Sequence, residues 1–502
     1  MGYRASGVAL PIFSLPSPYG IGTIGKEARD FIDFLADSGF TYWSILPLGP
    51  TSFGDSPFQC FSSKALNHYF IDFDDLIANG LLKRQDLAAL DWSDDVTKVD
   101  YHSIYTNKTK VLKKAFSRFK RVISDYQRGY TSFLRRNEFL DYACFMVLKE
   151  LNGGKPWSSF QDGYDEYSLK GFKKIKHQYW DKVEFYLWTQ YIFLKQWNAL
   201  KSYAASKGVK IIGEMAFYVS YDSIDAYKHH RTFQLNQHHQ MEKVGGYPPD
   251  NFSPTGQVWG APLYDFDYLA KHDFRFLKSR LNFMLELYDK VILNHFRGFF
   301  QYYALDADAK DGLNGTFLDG PGRSISEVLD CYDQKKLIAE HIGYKDENLE
   351  SFLEEERVAD ISDLEFSLTG DEGFLLPEEY TYETILYSTR HDNEPLASYL
   401  ASLPDDKLQK LESILQKSSY RLGVKYKGGN IKDLVDCSLE VGLASASKIV
   451  IINFSDLLSL GHEARINTPN TVGSNWTYRI KKDDLTSSLV DKFNALNRFY
   501  GR

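Results

Sequence analysis

Three carboxylates and one amide stand at the ends of short apolar runs, at Glu214, Asn294, Glu340 and Asp392. A lone carboxylate in such a place usually caps an element or joins a salt bridge, but several in equivalent places are better explained as one constellation. In a barrel of alternating strands and helices, the active site lies at the carboxyl ends of the strands. Carboxyl groups that converge there can protonate a leaving oxygen and attack or stabilise a cationic sugar. The residues therefore favour a carbohydrate-active barrel, with a phosphate-sugar isomerase or aldolase barrel as the second hypothesis.

Patterns that would bind a nucleotide or a metal ion are weak. The glycines of Gly20–Gly25 spell GxGxxG but follow a proline-rich loop instead of a strand, a context that argues against a nucleotide site. The histidine pairs at 229–230 and 238–239 lack the i, i+4 spacing of a helical metal site. We expect no cofactor and no catalytic metal.

The composition is that of an ordinary folded chain with an acidic balance. The 502 residues are 43% hydrophobic and 25% charged, with a net charge of −8, which argues against a nucleic-acid partner. No apolar run approaches the ~18 residues that span a bilayer, the first residues do not resemble a secretory signal, and the four cysteines lie far apart. We expect a cytoplasmic protein without a membrane partner. Aromatic residues make up 15% of the chain, and their faces suit sugar rings as well as a large core.

The elements that must position these side chains alternate along the chain. Short runs rich in β-branched residues are typical of strands that are buried on both faces. Six such runs are Tyr42–Leu48, Val209–Met215, Val291–Phe296, Lys336–Ile342, Thr384–Asp392 and Lys448–Asp456. Amphipathic stretches of helical period lie between them, at Ala28–Leu35, Tyr268–Tyr288 and Leu408–Lys417. Strands that alternate with helices predict an α/β fold with a parallel sheet, here a (β/α)8 TIM-type barrel with two further strands.

The barrel is expected to carry helical insertions. Residues from about 80 to 205 are charged and aromatic, have helical period and contain no convincing buried strand, so we predict an inserted helix-rich subdomain there. A second, small helical insertion is predicted at about 400–430, around Pro404–Tyr420. The whole chain, 1–502, is then a single barrel with these insertions.

Several motifs, in order, resemble the amylomaltase family, the 4-alpha-glucanotransferases or disproportionating enzymes. The segment Arg4–Ser62 is similar to the family's opening, and YPPDNFSPTGQVWGAPLYD, HFRGF, LIAEHIG, STRHDN and GHEARINTPNTVGSNWTYR follow. The resemblance covers nearly the whole chain. It implies a (β/α)8 barrel that cleaves an α-1,4-glucan, holds the donor part covalently and passes it to the 4-hydroxyl of another glucan with retention of configuration.

The same resemblance assigns roles to individual residues. Glu340 matches the family's acid/base glutamate, and Asp392 matches the carboxylate that grips ring hydroxyls and stabilises the transition state. The remaining residues are expected to bind the maltooligosaccharide: Glu214, His295, Arg297, His391, Asp250, Gln257, Trp259, Phe58 and Asn251. Of these, Asp250, Gln257 and Trp259 are expected in a loop before the fourth barrel strand. Phe58, Asn251 and Glu214 each replace a different residue of the family pattern.

The match fails at the residue that should attack the sugar. The family has its nucleophilic aspartate directly before HFRGF, within R-I-D-H-F-R-G-F, and Asn294 stands there, with Ile292 in place of the arginine. A neutral amide is a poor nucleophile, and the retaining mechanism needs an ionised carboxylate. An arginine left facing an amide would be an uncompensated buried charge, at a cost of about 3–5 kcal/mol, and an apolar residue removes that cost.

Two origins and two functions remain open for this substitution. A deliberate Asp→Asn change made to trap a substrate would have left the arginine, so the pair Asn294 and Ile292 favours natural loss of the nucleophile. The first functional hypothesis is an α-1,4-glucan transferase of impaired activity. The second is a catalytically inactive homologue, a pseudoenzyme that binds glucan or regulates. Neither the preferred glucan length nor a protein partner can be predicted.

Overall fold

A computed structural model describes residues 4–93, 95–250, 253–341, 346–371 and 373–502. In these ranges eight parallel strands close into a barrel in the spatial order β1-β12-β11-β10-β9-β6-β3-β2. The remaining four strands, β5-β4-β7-β8, form an antiparallel sheet. The strands are β1 Ala5–Ala9, β2 Tyr42–Ser44, β3 Lys210–Met215, β4 Lys243–Tyr247, β5 Gln257–Pro262, β6 Lys290–Leu293, β7 Gln301–Asp306, β8 Thr316–Asp319, β9 Leu337–Ala339, β10 Ala359–Asp363, β11 Thr384–Tyr387 and β12 Ile449–Asn453. The predicted (β/α)8 barrel is confirmed.

Two barrel strands have sequences that do not show the buried apolar pattern. The strand β1 reads ASGVA, and Gly7 lies so close to β2 that a Cβ atom built on it would be 2.4 Å from the Tyr42 carbonyl oxygen. The strand β10 reads ADISD and ends at the buried Asp363. Both strands pair in parallel with both of their neighbours and so close the barrel.

The helices of the described ranges surround the barrel and extend from it. They are α1 Lys26–Asp37, α2 Phe73–Ala78, α3 Tyr101–Phe119, α4 Ile123–Arg136, α5 Leu140–Leu151, α6 Leu169–Gln178, α7 Trp180–Ser206, α8 Ile224–Lys228, α9 Phe266–Lys271, α10 Arg275–Leu287, α11 Ser326–Leu329, α12 Glu347–Glu356, α13 Leu364–Thr369, α14 Leu396–Ser402, α15 Asp405–Leu422, α16 Ile431–Ala444, α17 Phe454–Leu457 and α18 Ser487–Tyr500. The helix expected over Tyr268–Tyr288 is two helices, because Asp273 and Phe274 have left-handed φ values of 56° and 49° between α9 and α10. None of these helices is long and apolar enough to cross a membrane.

Helices fill the parts of the chain where insertions were expected. Five of them, α3 to α7, cover most of residues 101–206, and α7 packs against α5 and also against α1 and β3. The helix α15 covers most of the second stretch and packs on α16. That these helices form subdomains distinct from the barrel stays a prediction.

The floor of the barrel is apolar up to the level of the site. Side chains from neighbouring strands form a closed interior cluster that includes Ile212, Ile292, Ile338, Tyr387 and Ile451. These β-branched side chains suit a sheet that is buried on both faces. The polar residues of the site therefore stand on a dry base of low dielectric, where charges interact strongly.

Candidate active site

A groove with a cavity volume of about 470 Å³ opens at the carboxyl ends of the barrel strands. Its walls include ten of the predicted site residues, which are Phe58, Asp250, Gln257, Trp259, Asn294, His295, Arg297, Glu340, His391 and Asp392. Glu214 lies below the groove and lines two smaller cavities of about 40 Å³ each. Asn251 lies outside the described residues.

Strand register explains these levels. Ile292 pairs with Glu214 across β3 and β6, and with Ile338 across β6 and β9. Asn294 and Glu340, which come directly after β6 and β9, therefore lie at the same level along the barrel axis. Glu214 is level with Ile292 and so lies one layer of side chains lower in the barrel. The backbone N–H of Asn294 donates to Met215 O at 3.1 Å, so the ladder continues into the site.

Asn294 bridges two glutamates through its side-chain amide. Its Nδ2 donates to Glu214 Oε1 at 2.8 Å and also donates to Glu340 Oε2. The same Glu340 oxygen accepts the backbone N–H of His295 at 2.7 Å. At the position expected for a nucleophile, the structure therefore has a hydrogen-bond donor with no ionisable group.

Arg390, which the sequence analysis did not single out, joins two further carboxylates. Its Nη1 donates to Glu340 Oε1, and its Nε donates to the two oxygens of Asp363 at 3.1 and 3.2 Å. The side chains of Arg390 and Glu340 are 12% and 11% exposed, and that of Asp363 is fully buried. Bonds in which both groups are ionised and buried are stronger than neutral ones. The sequence did contain a sign of this contact, because Arg390 is the charged residue of STRHDN at the end of β11. The spacing of residues alone does not say which carboxylates Arg390 contacts.

The two glutamates at Asn294 have opposite electrostatic surroundings. Burial, with the nearby charge of Glu340, raises the pKa of Glu214 to about 8, so this carboxyl is protonated at neutral pH. Burial acts in the same direction on Glu340, but Arg390 and the His295 N–H outweigh it and hold the pKa of Glu340 below its usual value. At neutral pH the centre therefore contains a neutral Glu214 and an ionised Glu340.

Ile292 is buried beneath this centre, as its exposure of 5% shows. It lines the same small cavity as Glu214 and Arg390. The place where the family pattern has an arginine is therefore apolar, and the positive charge of the region comes from Arg390 on a different strand.

Asp392 is fixed from the side of the C-terminal motif. Its Oδ1 accepts Asn467 Nδ2 at 2.6 Å, and Arg465 Nη2 donates to its backbone carbonyl at 3.1 Å. The neighbouring His391 ring stacks on Phe58 with 4.8 Å between ring centroids. Asp392 is thus held at the groove with a second carboxylate oxygen available for ligand hydroxyls.

An aromatic wall faces Asp392 across the groove. The Trp259 ring is stacked with Tyr247 at 6.2 Å and meets His295 edge-on at 5.0 Å. His295 has a left-handed φ of 49°. Burial lowers the pKa of its imidazole to about 4. The buried Nε2 atom has no hydrogen-bond partner among the described residues. Arg297 extends beyond it, with Nη1 3.5 Å from the Tyr247 hydroxyl.

The segment that carries Gln257 and Trp259 is a strand, not the loop expected from the sequence. Both residues lie on β5, which pairs with β4 in the antiparallel sheet. Gln257 Oε1 accepts the indole N–H of Trp259 at 3.0 Å, and Asp250 Oδ1 accepts the N–H of Ser253 at 2.8 Å. The sequence of β5, QVWGAP, does not show a regular strand pattern, and for this reason the strand was not predicted. Its pairing with β4 gives the aromatic wall a rigid support.

A metal-binding arrangement is not evident in the part of the chain that the structure describes. No group of three or more His, Cys, Asp or Glu side chains there is placed to hold a metal ion. The groove is lined by carboxyl groups, histidines, arginines and aromatic faces.

Comparison with known proteins agrees with this geometry. The 4-alpha-glucanotransferase family model matches residues 10–486. The 4-alpha-glucanotransferase of Clostridium butyricum is 35% identical over 98% of this chain and 99% of its own length, and that of Thermus thermophilus is 33% identical over 98% of each. The structure of amylomaltase from Streptococcus agalactiae in complex with acarbose superposes with a TM-score of 0.91, at 33% identity and 99% coverage of both chains. The chain belongs to the 4-alpha-glucanotransferase family.

Proposed function

We propose that this protein binds α-1,4-linked maltooligosaccharides in the groove, whereas its transfer of glucan segments is strongly impaired. The observation that carries the proposal is the Asn294 amide, hydrogen-bonded to Glu214 and Glu340 at the position where the family attacks the sugar. We also propose that the protein acts in the cytoplasm and that neither a membrane nor a nucleic acid is its partner.

Support for binding comes from the walls of the groove. Trp259 offers a flat face, and such faces suit the apolar sides of sugar rings. Asp392 lines the groove as a carboxylate that Asn467 holds in place, and it can accept hydroxyl groups of a sugar. Concave sites with a few fixed polar groups on an aromatic lining are typical of small-ligand binding.

Support for impaired transfer comes from the centre. A retaining glycosidic reaction needs one ionised carboxylate to attack and one protonated carboxyl to donate a proton to the leaving oxygen. Asn294 cannot attack, and Glu340 is ionised beside Arg390 instead of protonated. Each missing tenfold factor in rate corresponds to about 1.4 kcal/mol of barrier, and loss of a nucleophile removes several.

The second candidate is a wholly inactive homologue that binds glucan or regulates. The bond between Arg390 and Glu340 favours it, because this bond disables the acid as well as the nucleophile. Product analysis separates the two candidates, since an impaired enzyme still makes traces of longer and shorter glucans.

Two assays on one sample test the proposal. Calorimetry with maltotetraose or acarbose measures binding, and chromatography after incubation with maltotriose detects a ladder of products. The Thermus thermophilus 4-alpha-glucanotransferase serves as the positive control. We expect heat of binding and a ladder that is absent or far weaker than that of the control.

Either assay can contradict the proposal. Turnover on maltotriose of ordinary enzymatic size, on the order of 10 per second, would show that transfer is intact. No heat of binding and no thermal shift at millimolar glucan would show that the groove does not bind.

A further inference from the structure

We infer that Arg390 is a positioning residue that fixes Glu340 as a permanent carboxylate and thereby prevents it from acting as a proton donor. This role rests on the proposed function in one respect: it is a second reason, independent of Asn294, for impaired transfer of glucan. Nothing in the motif comparison suggests the role, which comes from contacts between strands that are distant in sequence.

Geometry assigns two separate bonds to this guanidinium. Nη1 donates to Glu340 Oε1, while Nε donates to both oxygens of Asp363 at 3.1 and 3.2 Å. A guanidinium can hold two carboxylates at once because its donors form a rigid planar fork. Lysine carries its three donors on one nitrogen and lacks this planar fork.

Three donors occupy the carboxylate of Glu340. Oε1 accepts from Arg390, and Oε2 accepts from both the Asn294 amide and the backbone N–H of His295. A carboxylate has about four acceptor sites, so one site on Oε1 remains. Donors on both oxygens stabilise the ionised form and oppose protonation.

The backbone next to Arg390 is fixed as well. Its N–H donates to Asn393 Oδ1 at 3.0 Å, and Asn393 Nδ2 donates to the buried Glu365 at 3.1 Å. The position of Arg390 is therefore set by the end of β11 and by α13 together. This network explains how a long side chain remains ordered in a nearly closed space.

Arg390 supplies the positive charge beside an apolar position. Ile292 stands where the family pattern has an arginine, and Ile292 and Arg390 line one cavity. The positive charge at this level comes from the end of β11 and contacts Glu340, the residue that matches the family's acid/base glutamate.

A measurement of stability against pH, in the absence of glucan, tests this role separately from the proposed function. Burial already raises the pKa of Asp363 beside Arg390; without Arg390 it is expected to raise the pKa of Asp363 further and that of Glu340 as well, so the folded state keeps protons that the unfolded state releases. The stability from those protons is present at low pH and is lost as pH rises. The other titratable or charged groups near the pair are Glu214, His295, Glu365, Tyr380, Tyr387, His391 and Asp392.

We expect the Tm deficit of Arg390→Gln, relative to the unmodified protein, to widen steadily between about pH 5 and about pH 8. Adding Glu340→Gln should remove part of that widening, because Glu340 then no longer titrates. Arg280→Gln is the matched control, since Arg280 is a buried arginine that donates to the carbonyls of Ala216 and Phe217 and to the Tyr264 hydroxyl instead of to a carboxylate. Its deficit should stay nearly constant over the same range.

A deficit of Arg390→Gln that does not change with pH, or a widening that Glu340→Gln leaves untouched, would overturn the inference. If Arg390→Gln does not fold, Arg390→Lys takes its place, with a smaller widening expected because lysine keeps the positive charge but loses the fork of donors. A flat profile for Arg390→Lys in that case would equally overturn it.

Discussion

The centre of the groove and its walls offer different chemistry to a glucan. At the centre, Asn294 and Ile292 stand where the family pattern has two charged residues, and Arg390 contacts Glu340. At the walls, Asp392 is fixed by Asn467 and the Trp259 ring is stacked with Tyr247. Binding a glucan needs hydroxyl partners and flat faces, whereas breaking it needs a matched pair of carboxyl groups, so a protein can lose the second and keep the first.

The largest effect is expected at the centre, where Glu214 couples stability to pH. The pKa of Glu214 is raised from 4.5 to about 8 by burial and by Glu340. Its contribution to stability is therefore complete below about pH 4.5 and is lost as pH rises towards 8, by about 1.4 kcal/mol per pH unit. Glu214→Gln cannot titrate, so its stability relative to the unmodified protein should improve across this window.

Thermal or denaturant unfolding between pH 4.5 and 8 measures this change. Glu347→Gln, at the exposed start of α12, is the control for the substitution itself and should follow the unmodified protein. If the stabilities of Glu214→Gln and of the unmodified protein change with pH in parallel, then Glu214 does not couple stability to pH, and the centre does not differ electrostatically from the walls in this respect.

At the walls, Asp392→Asn should weaken glucan binding about ten- to hundredfold, since a hydrogen bond to a charged group is worth about 1.5–3 kcal/mol. Asn467 can still donate to the remaining amide oxygen, so the backbone should not move. Calorimetry with maltotetraose measures the affinity, with Asp406→Asn on the exposed start of α15 as control. Unchanged affinity would mean that Asp392 does not contact the ligand.

Trp259→Leu should cost less, about 1 kcal/mol or fivefold in affinity, because leucine keeps the apolar contact and loses the aromatic face. Tyr420→Leu is a control of similar chemistry, as that ring is 88% exposed on α15. The same calorimetric titration applies. If both variants bind as tightly as the unmodified protein, the aromatic wall is not part of the binding surface.

The smallest effect on binding is expected for Asn294→Ala. Its affinity for maltotetraose should change by no more than about threefold, which is less than the loss of one ordinary hydrogen bond can cause. The side-chain amide of Asn294 donates to Glu214 and Glu340, so little of it remains for a ligand. A tenfold loss of affinity in calorimetry would place Asn294 among the binding residues and blur the division between centre and walls.

Much of the fold could be predicted because buried parallel strands and amphipathic helices have clear patterns. Six strands carried runs of β-branched residues, whereas ASGVA and ADISD did not, since small side chains and charged ends conceal their burial. The antiparallel sheet was missed for a similar reason, as β4 contains two glycines and β5 a glycine and a proline.

The candidate site was predictable in position but not in electrostatics. Strand ends located Asn294 and Glu340 correctly beside each other, because parallel strands in register bring their carboxyl ends to one edge. The contact between Arg390 and Glu340 joins residues 50 positions apart. Periodicity places each strand, but it does not determine which long charged side chains meet across the barrel. Glu214 was expected in the groove and instead lies one layer lower, a consequence of register.

The central claim is that the centre of the site limits glucan transfer, whereas the walls of the groove bind glucan. Initial rates of maltotriose disproportionation for Asn294→Asp, for Asn294→Asp with Ile292→Arg, and for the triple variant with Arg390→Gln test it most directly, with melting temperatures alongside. The account predicts that Asn294→Asp alone remains at least about a hundredfold below an ordinary turnover of roughly 10 per second, and that the triple variant is the fastest of the three. Full family-like turnover from Asn294→Asp alone would contradict it.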